Sequence, residues 1–258
     1  MMNFKKIHIE FKDKQAIIWL NQPEIRNSLN PLMINDLIKC IKWIERNDDI
    51  MVLIFRGRGK SFCAGADINW MKDSGSSGYR KNYLESKKLA SFFNTIYQTN
   101  KVVINLIHGH AFGGALGFIG AGDFTFATKE TLFGLPELKM GLAPSVIAPY
   151  LLTRIKQNVL KFKIYTGDTF TSEEALNIGL IDGIYSNIND MKIKSGELIN
   201  SIISVSPLAL KESKKLMKKL NTEIINKKKI NKTIKTITNL KMSSDAKDRM
   251  LKFIVLNK

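Results

Sequence analysis

Gly109–His110–Ala111–Phe112–Gly113–Gly114–Ala115–Leu116–Gly117 is the stretch whose reading decides the fold. It follows an apolar run of β type, Val102–Val103–Ile104–Asn105–Leu106–Ile107, and leads into small apolar residues that can continue as a helix. A strand that breaks into glycines and opens a helix leaves backbone N–H groups without intrahelical partners at the positive helix end. Such a turn can hold a phosphate, or an oxygen that becomes negative during a reaction. The same glycines also let a helix pack closely on a sheet, and the stretch by itself fits both readings.

Two further segments extend the pattern. Lys60–Ser61–Phe62–Cys63–Ala64–Gly65–Ala66–Asp67–Ile68 also follows a strand-like run, Val52–Leu53–Ile54–Phe55, and a turn at Gly57–Arg58–Gly59. Phe133–Gly134–Leu135–Pro136–Glu137–Leu138–Lys139–Met140–Gly141–Leu142 places a carboxylate directly after a proline. Apolar Leu135 and Leu138 flank Glu137 and predict its partial burial, which raises a carboxyl pKa toward the range useful to a general acid or base. An ion pair with Lys139 or a distant basic residue is the alternative for Glu137.

In this order and spacing the three segments resemble the enoyl-CoA hydratase/isomerase (crotonase) family, whose pattern runs F-x-A-G-A-D, G-x-A-x-G-G-G and F-G-x-P-E-x-x-x-G. The resemblance extends from about Ala16 to Phe253, through Tyr165–Thr166–Gly167, Ser172–Glu173–Glu174–Ala175, Gly179–Leu180–Ile181 and Ser206–Pro207–Leu208–Ala209. It implies an α/β fold: a crotonase-like spiral of ββα units over residues 1–200 and a helical C-terminal region for oligomerisation over 201–258. It implies a homotrimer or a hexamer built from trimers. By the same resemblance Glu137 is the catalytic acid/base, and the backbone N–H groups of Ala66 and Gly114 form an oxyanion hole. The implied substrate/CoA-binding residues are Arg26, Ala64, Ala66, Asp67, Ile68, Gly114 and Gly117. Arg26 reads equally as a contact to CoA phosphates and as a solvated loop arginine. No metal and no separate cofactor is implied, since coenzyme A enters as part of the substrate.

The departures narrow the expected chemistry. Hydratases of this family often carry a second Glu at the position of Gly117, so a mechanism with one carboxylate is expected. The G-G-T-Q-R-type stretch after the Pro–Glu segment is absent, and the chain reads Gly141–Leu142–Ala143–Pro144–Ser145–Val146–Ile147–Ala148–Pro149 instead. Together with Asp67–Ile68–Asn69–Trp70–Met71 and Ala111–Phe112–Gly113–Gly114, this is most similar to methylglutaconyl-CoA hydratases of leucine breakdown. The resemblance thus implies a hydro-lyase acting on a branched or carboxylated 2-enoyl-CoA. An enoyl-CoA isomerase, a dehydratase on a carrier-bound acyl group, and a nucleic-acid-binding protein that kept the fold are the competing readings. Trp70 and Met71 read as packing residues, against the core or the acyl group. His8, His108 and His110 show no ligand spacing and receive no catalytic role.

The 258 residues allow one large domain, or one domain plus an appendage. No apolar run approaches the ~20 residues of a membrane span. Residues from Met1 to Lys6 do not lead into the apolar core of a signal peptide. Cys40 and Cys63 lack metal-type spacing and read as two buried thiols in a reducing, cytoplasmic compartment. The net charge of +17 is concentrated at the end: from Lys192 to Lys258 there are 17 Lys+Arg against 5 Asp+Glu, a surplus of +12. These lysines lie on amphipathic segments without aromatic neighbours for base stacking, so a solvated face is expected ahead of nucleic-acid binding.

Along the chain, alternation predicts two paired strands through Ile7, Ile9, Phe11 and through Ala16, Ile18, Leu20. Asn30 and Pro31 predict the start of a helix through Met33, Leu37, Ile41 and Ile44 to Arg46, before a strand at Met51–Phe55. Asp73–Gly78 reads as a flexible polar loop, followed by a helix through Leu84, Leu89, Phe92, Phe93 and Ile96. Asp123–Ala127 with Thr131–Phe133 continues the βα succession. From about Asn200 the chain turns helical, with one helix through Leu208, Lys211, Leu216 and Leu220. The apolar stripe of a second, at Ile224, Ile230, Ile234, Ile237 and Leu240, needs the core or a neighbouring subunit to cover it.

Overall fold

The computed structural model describes residues 4–220 and 225–256; Met1–Asn3 lie outside them. β1 (Ile7–Lys12) and β2 (Gln15–Leu20) form an antiparallel hairpin with Ile9 opposite Ile18. Ile7, Ile18 and Leu20 enter the core, but Phe11 is half exposed near the end of β1, where its ring meets Trp43 edge-on at 5.7 Å. Asn30 caps α1 (Pro31–Glu45), its Oδ1 accepting the Met33 N–H at 3.0 Å, and Met33, Leu37, Ile41 and Ile44 are buried at helical spacing. β3 (Val52–Gly57) then lies parallel to β2.

α2 (Ile68–Ser76) and α3 (Tyr79–Gln98) follow. The stretch at Asp73–Gly78 corrects the expected loop, because it is helical as far as Ser76 and buries Ser74 and Gly75. Asp67 caps α2, and Asn82 of α3 donates its Nδ2 to the carbonyls of Ser74 and Ser77 at 2.8 and 3.0 Å. Serines favour turns when the backbone lacks better partners, and here α3 supplies them. On α3, Phe92, Phe93 and Ile96 are fully buried as expected, whereas Leu84 is exposed.

β4 (Val102–Ile107) is buried throughout, as suits a central parallel strand. β5 (His110–Phe112), α4 (Ala115–Ala121), β6 (Phe124–Thr128) and β7 (Leu132–Gly134) follow it. After a 3-10 turn at Pro136–Met140 come α5 (Ala148–Leu151), α6 (Gln157–Thr166), β8 (Thr169–Thr171), α7 (Ser172–Asn177) and β9 (Gly183–Tyr185). One sheet has the order β1-β2-β3-β4-β6-β9 and the other β5-β7-β8. β4 and β6 go to the large sheet and β5 and β7, each next in the chain, to the small one, with α4 between the two pairs, as in a spiral of ββα units; β8 then joins the small sheet and β9 the large one. Phe55, Phe62, Phe92 and Phe93 pack on Phe118 of α4, the first three with rings 5.1 to 5.4 Å from it.

Helix begins earlier than about Asn200. α8 (Ile188–Ser204) starts where Asn187 Oδ1 accepts the N–H groups of Asn189 and Asp190, and it buries Met191, Ser195 and Ile199 on one face. α9 (Pro207–Leu220), α10 (Lys227–Met242) and α11 (Ser244–Leu256) complete the tail. α10 packs along α3, so Ile234 and Ile237 are buried and Ile230 and Leu240 partly buried within their own chain. Of the two covers expected for this stripe, the core or a neighbouring subunit, the structure shows the core of its own chain; Ile224 lies outside the described residues. α9 behaves in the opposite way. It docks through Lys214, paired with Asp123 and bonded to the Lys101 carbonyl at 2.6 Å, and Lys218, bonded to the Thr99 carbonyl at 2.9 Å. Leu208, Leu216 and Met217 are left exposed. No helix among the described residues is long and apolar enough to cross a membrane.

Candidate active site

The first two motif segments run side by side. Phe62 N–H donates to the His108 carbonyl at 2.8 Å and Cys63 N–H to the His110 carbonyl at 3.1 Å, while Phe112 N–H donates back to the Cys63 carbonyl at 3.2 Å. This lattice carries the chain to two touching glycines. Gly65, at φ +96°, lies so close to the other strand that a Cβ on it would be 2.9 Å from the Phe112 carbonyl oxygen. Gly113, at φ +51°, donates its N–H to the Gly134 carbonyl at 2.9 Å and so ties the turn to β7, which leads directly into Glu137. A Cβ on Gly113 would sit 2.9 Å from Glu137 Oε1. At Gly65 both the positive φ and the backbone contact call for glycine; at Gly113 the φ favours it, and a Cβ would push the Glu137 carboxylate aside.

Ala66 and Gly114 each lie one residue beyond these glycines. Among the described residues neither backbone N–H has a hydrogen-bond acceptor. Leu29 holds the two together: it forms a parallel bridge with Ala66, accepts the Asp67 N–H at 2.9 Å and donates to the Gly65 carbonyl at 2.7 Å. Its Cδ1 lies 3.2 Å from where a Cβ on Gly114 would be. The sequence gives no sign of this role, since Leu29 reads as one apolar residue in a polar loop.

Glu137 sits in the turn at Pro136–Met140. The residue as a whole is partly exposed, but its Oε2 is enclosed and has no hydrogen-bond partner. Burial pushes its pKa up to about 7, against the opposing pull of its own backbone N–H. The ion pair with Lys139 does not form, because Lys139 reaches Asp168 at 3.4 Å on the surface. Glu137 is therefore a carboxyl without a cation, titrating near neutrality beside two free N–H donors.

The remaining expected binding residues fall into different settings. Ala64 donates its N–H to the Arg26 carbonyl at 3.0 Å. Arg26 is exposed in a left-handed conformation at φ +51°, and its charge lowers the pKa of His110, after the larger effect of burial. Asp67 is occupied structurally, its Oδ1 accepting the Trp70 N–H at 3.0 Å, and Ile68 opens α2 with its side chain exposed. Gly117 departs from the expected binding set. A Cβ there would lie 2.6 Å from Phe93 Cζ and 2.7 Å from Ile147 Cγ2, so the position is core packing and carries no open face. His108 and His110 are engaged in local bonds, to the Gly59 carbonyl and to Ser61 Oγ, each at 2.9 Å.

The α10–α11 pair closes over this region. Ser145 Oγ donates to the Thr233 carbonyl at 3.3 Å, and a Cβ on Gly141 would lie 2.8 Å from Ala246 Cα. The tail thus rests on the turn that follows Glu137. The whole arrangement can accept a carbonyl oxygen at two N–H groups and move a proton next to it, in a partly dry enclosure.

The sequence profile of the family described as enoyl-CoA hydratase/isomerase matches residues 10–254. A short-chain-enoyl-CoA hydratase of Clostridium acetobutylicum is 29% identical over 219 residues, covering 83% of this chain and 81% of that protein. The mitochondrial Delta(3,5)-Delta(2,4)-dienoyl-CoA isomerase of Mus musculus is 28% identical over 223 residues, covering 82% of this chain and 68% of that protein. The crystal structure of an enoyl-CoA hydratase from Bacillus halodurans superposes with a TM-score of 0.90 at 24% identity, over 96% of this chain and 100% of that one, and shares its fold.

Proposed function

The chain belongs to the enoyl-CoA hydratase/isomerase family, and from that premise we propose that it adds water to, or removes it from, a 2-enoyl-CoA thioester through one carboxylate. The observation that carries this reading is Glu137: an unpaired carboxyl with its pKa near 7, set against Gly113 beside the free N–H groups of Ala66 and Gly114. As water attacks Cβ of the enoyl group, Glu137 takes a proton from it. The electron pair of the double bond moves toward the thioester oxygen, where the Ala66 and Gly114 N–H groups stabilise the negative charge. Loss of one such donor typically costs about 3 kcal/mol of barrier. Glu137, now protonated, returns the proton to Cα. The Gly117 position contributes no second carboxylate, so both proton steps fall to one residue.

That same economy supports a second reading, an enoyl-CoA isomerase, in which Glu137 removes a proton from one carbon of the acyl chain and returns it to another. The isomerase relative from mouse supports it as the hydratase relative supports the first. For the acyl group we propose a branched or carboxylated chain such as methylglutaconyl, on the resemblance of Asp67–Met71 and Gly141–Pro144. On the same resemblance we assign Ala64, Ile68 and Arg26 to the CoA path. We assign residues 1–200 to the catalytic core and 201–258 to its roof and to assembly, as a trimer or a hexamer of trimers. Two buried free thiols, with Cys63 pushed up to about 12 by burial, suit a reducing cytoplasmic setting. Nucleic acid is not among the proposed partners.

A spectrophotometric panel of 2-enoyl- and 3-enoyl-CoA thioesters tests the reading. Loss of the conjugated enoyl absorbance with formation of a 3-hydroxyacyl-CoA supports hydration. Conversion of 3-enoyl to 2-enoyl without added water supports isomerisation. No change with any thioester overturns both.

A further inference from the structure

One buried cation is not used by this chemistry. Lys241, in the last turn of α10, is only 7% exposed. Its Nζ lies 5.0 Å from the ring centre of Trp70 and, among the described residues, makes no hydrogen bond and no ion pair within 4.0 Å. Burial lowers its pKa to about 8, with Glu85 acting in the opposite direction. Glu85 does not neutralise it directly: its Oε2 is held by Trp70 Nε1 at 2.8 Å and Ser74 Oγ at 2.9 Å. A buried ammonium without an acceptor is costly and is ordinarily replaced by an apolar side chain at no loss of stability.

Its place in the fold links it to the site. Trp70 lies one helical turn beyond Ala66, the residue that carries one of the two free N–H groups. α11, which begins three residues after Lys241, touches both walls: a Cβ on Gly75 of α2 would be 3.5 Å from Met250, and Gly141 abuts Ala246. Lys241 therefore stands beside α2, the helix that leaves Ala66, on the helix pair that also covers the turn after Glu137. Lys139, near that turn, is bound to Asp168 on the surface.

We propose that the Lys241 ammonium receives a carboxylate at the far end of the acyl chain and makes the site selective for CoA thioesters of dicarboxylic enoyl acids. The inference rests on the acyl-CoA reading above. A carboxylate there supplies the acceptor that the ammonium lacks, and Trp70 flanks the carbon chain leading to it. Charge-assisted hydrogen bonds are the strong ones, and their strength grows in a partly dry site.

The test compares two pairs of thioesters that differ by one terminal carboxylate, on the wild-type protein and on Lys241→Met. Glutaryl-CoA and butyryl-CoA report binding by calorimetry, and glutaconyl-CoA and crotonyl-CoA report turnover. Lys241→Met should weaken glutaryl-CoA binding and lower kcat/KM for glutaconyl-CoA by about 10- to 100-fold, the loss of one charge-assisted hydrogen bond. The butyryl and crotonyl members should change less than about 3-fold, and the melting temperature should hold or rise because a methionine fills the same volume without charge. Equal losses on both members of a pair, or no loss on either, overturn the proposal in favour of a structural lysine. If the wild-type protein turns over neither enoyl thioester, the reaction proposed above fails, and the two saturated thioesters still decide the role of Lys241.

Discussion

The carboxylate of Glu137 rests against the α-carbon of Gly113, its Oε1 2.9 Å from where a Cβ would stand. One missing methyl thus sets the position of the acid/base relative to the Gly114 N–H on the next residue. Gly113→Ala should displace the carboxylate and strain the turn at φ +51°. A misplacement of about 1 Å costs on the order of 10²-fold in rate. The expected result is a loss of that size in kcat, with a smaller change in KM. A variant with wild-type kcat and an unchanged pH–rate profile shows that the contact has no bearing on catalysis.

Glu137→Gln removes the proton carrier and keeps the shape. General acid–base catalysis contributes about 10²–10⁴-fold, and a residue serving both proton steps belongs at the upper end. Turnover should fall accordingly, while binding of a saturated acyl-CoA changes little. Retention of kcat on the best substrate would remove Glu137 from the mechanism.

The same carboxyl makes stability depend on pH with a defined sign. Its folded pKa of about 7 lies above the ordinary 4.5. Below the ordinary value both folded and unfolded chains hold the proton and no difference arises. Between the two values the folded chain keeps a proton that the unfolded chain releases, so stability is lost as pH rises, by on the order of 3 kcal/mol once above the folded pKa. Glu137→Gln cancels the contribution. Its melting temperature relative to wild type should rise between pH 4.5 and 7.5 and then level off. A difference that stays constant over that window contradicts the burial of the charge.

Much of this site is legible in the sequence because its parts are backbone turns. Gly65, Gly113 and the Pro136–Glu137 pair announce themselves by residue type and spacing, and so does the strand–turn–helix succession around them. Leu29 is not legible, since its role comes from a bridge to Ala66 that spans 37 residues of chain. The Asp73–Ser76 stretch misleads for a related reason: another helix supplies partners for Ser74, Asn82 donating to its carbonyl and Glu85 accepting from its hydroxyl. The tail is legible only in part. A helical stripe in sequence says that a face will be covered, but not by what, and α10 finds α3 of its own chain.

Gly117 offers a test of what replaced a second carboxylate. Phe93 is fully buried and its ring occupies the space a side chain at residue 117 would need, with Ile147 closing the other side. Gly117→Glu should therefore destabilise the fold, since overpacking alone costs about 1–3 kcal/mol and a buried unpaired carboxylate adds more. It should not create hydration of crotonyl-CoA. Pairing it with Phe93→Ala, which opens the space, should recover part of the melting temperature. A stable single variant with a large gain in crotonyl-CoA hydration would show that the ring yields and that the glycine is a simple loss.

Assembly is to be sought on α9 rather than on α10. Leu208, Leu216 and Met217 are 70%, 55% and 65% exposed, more apolar surface than one short helix leaves in water without a partner. Lys214 and Lys218 fix one side of the helix to Asp123 and to the Thr99 carbonyl, and Leu216 lies on the opposite side, so it cannot turn inward. Light scattering at micromolar concentration should show a trimer or a hexamer for the wild-type chain. Leu216→Asp with Met217→Asp should shift the mass to the monomer, with the far-ultraviolet dichroism of the helices retained. The matching change on α10, Ile230→Asp, should lower the melting temperature instead, because that residue packs within its own chain. A wild-type monomer, or an oligomer that survives the double substitution on α9, places the interface elsewhere.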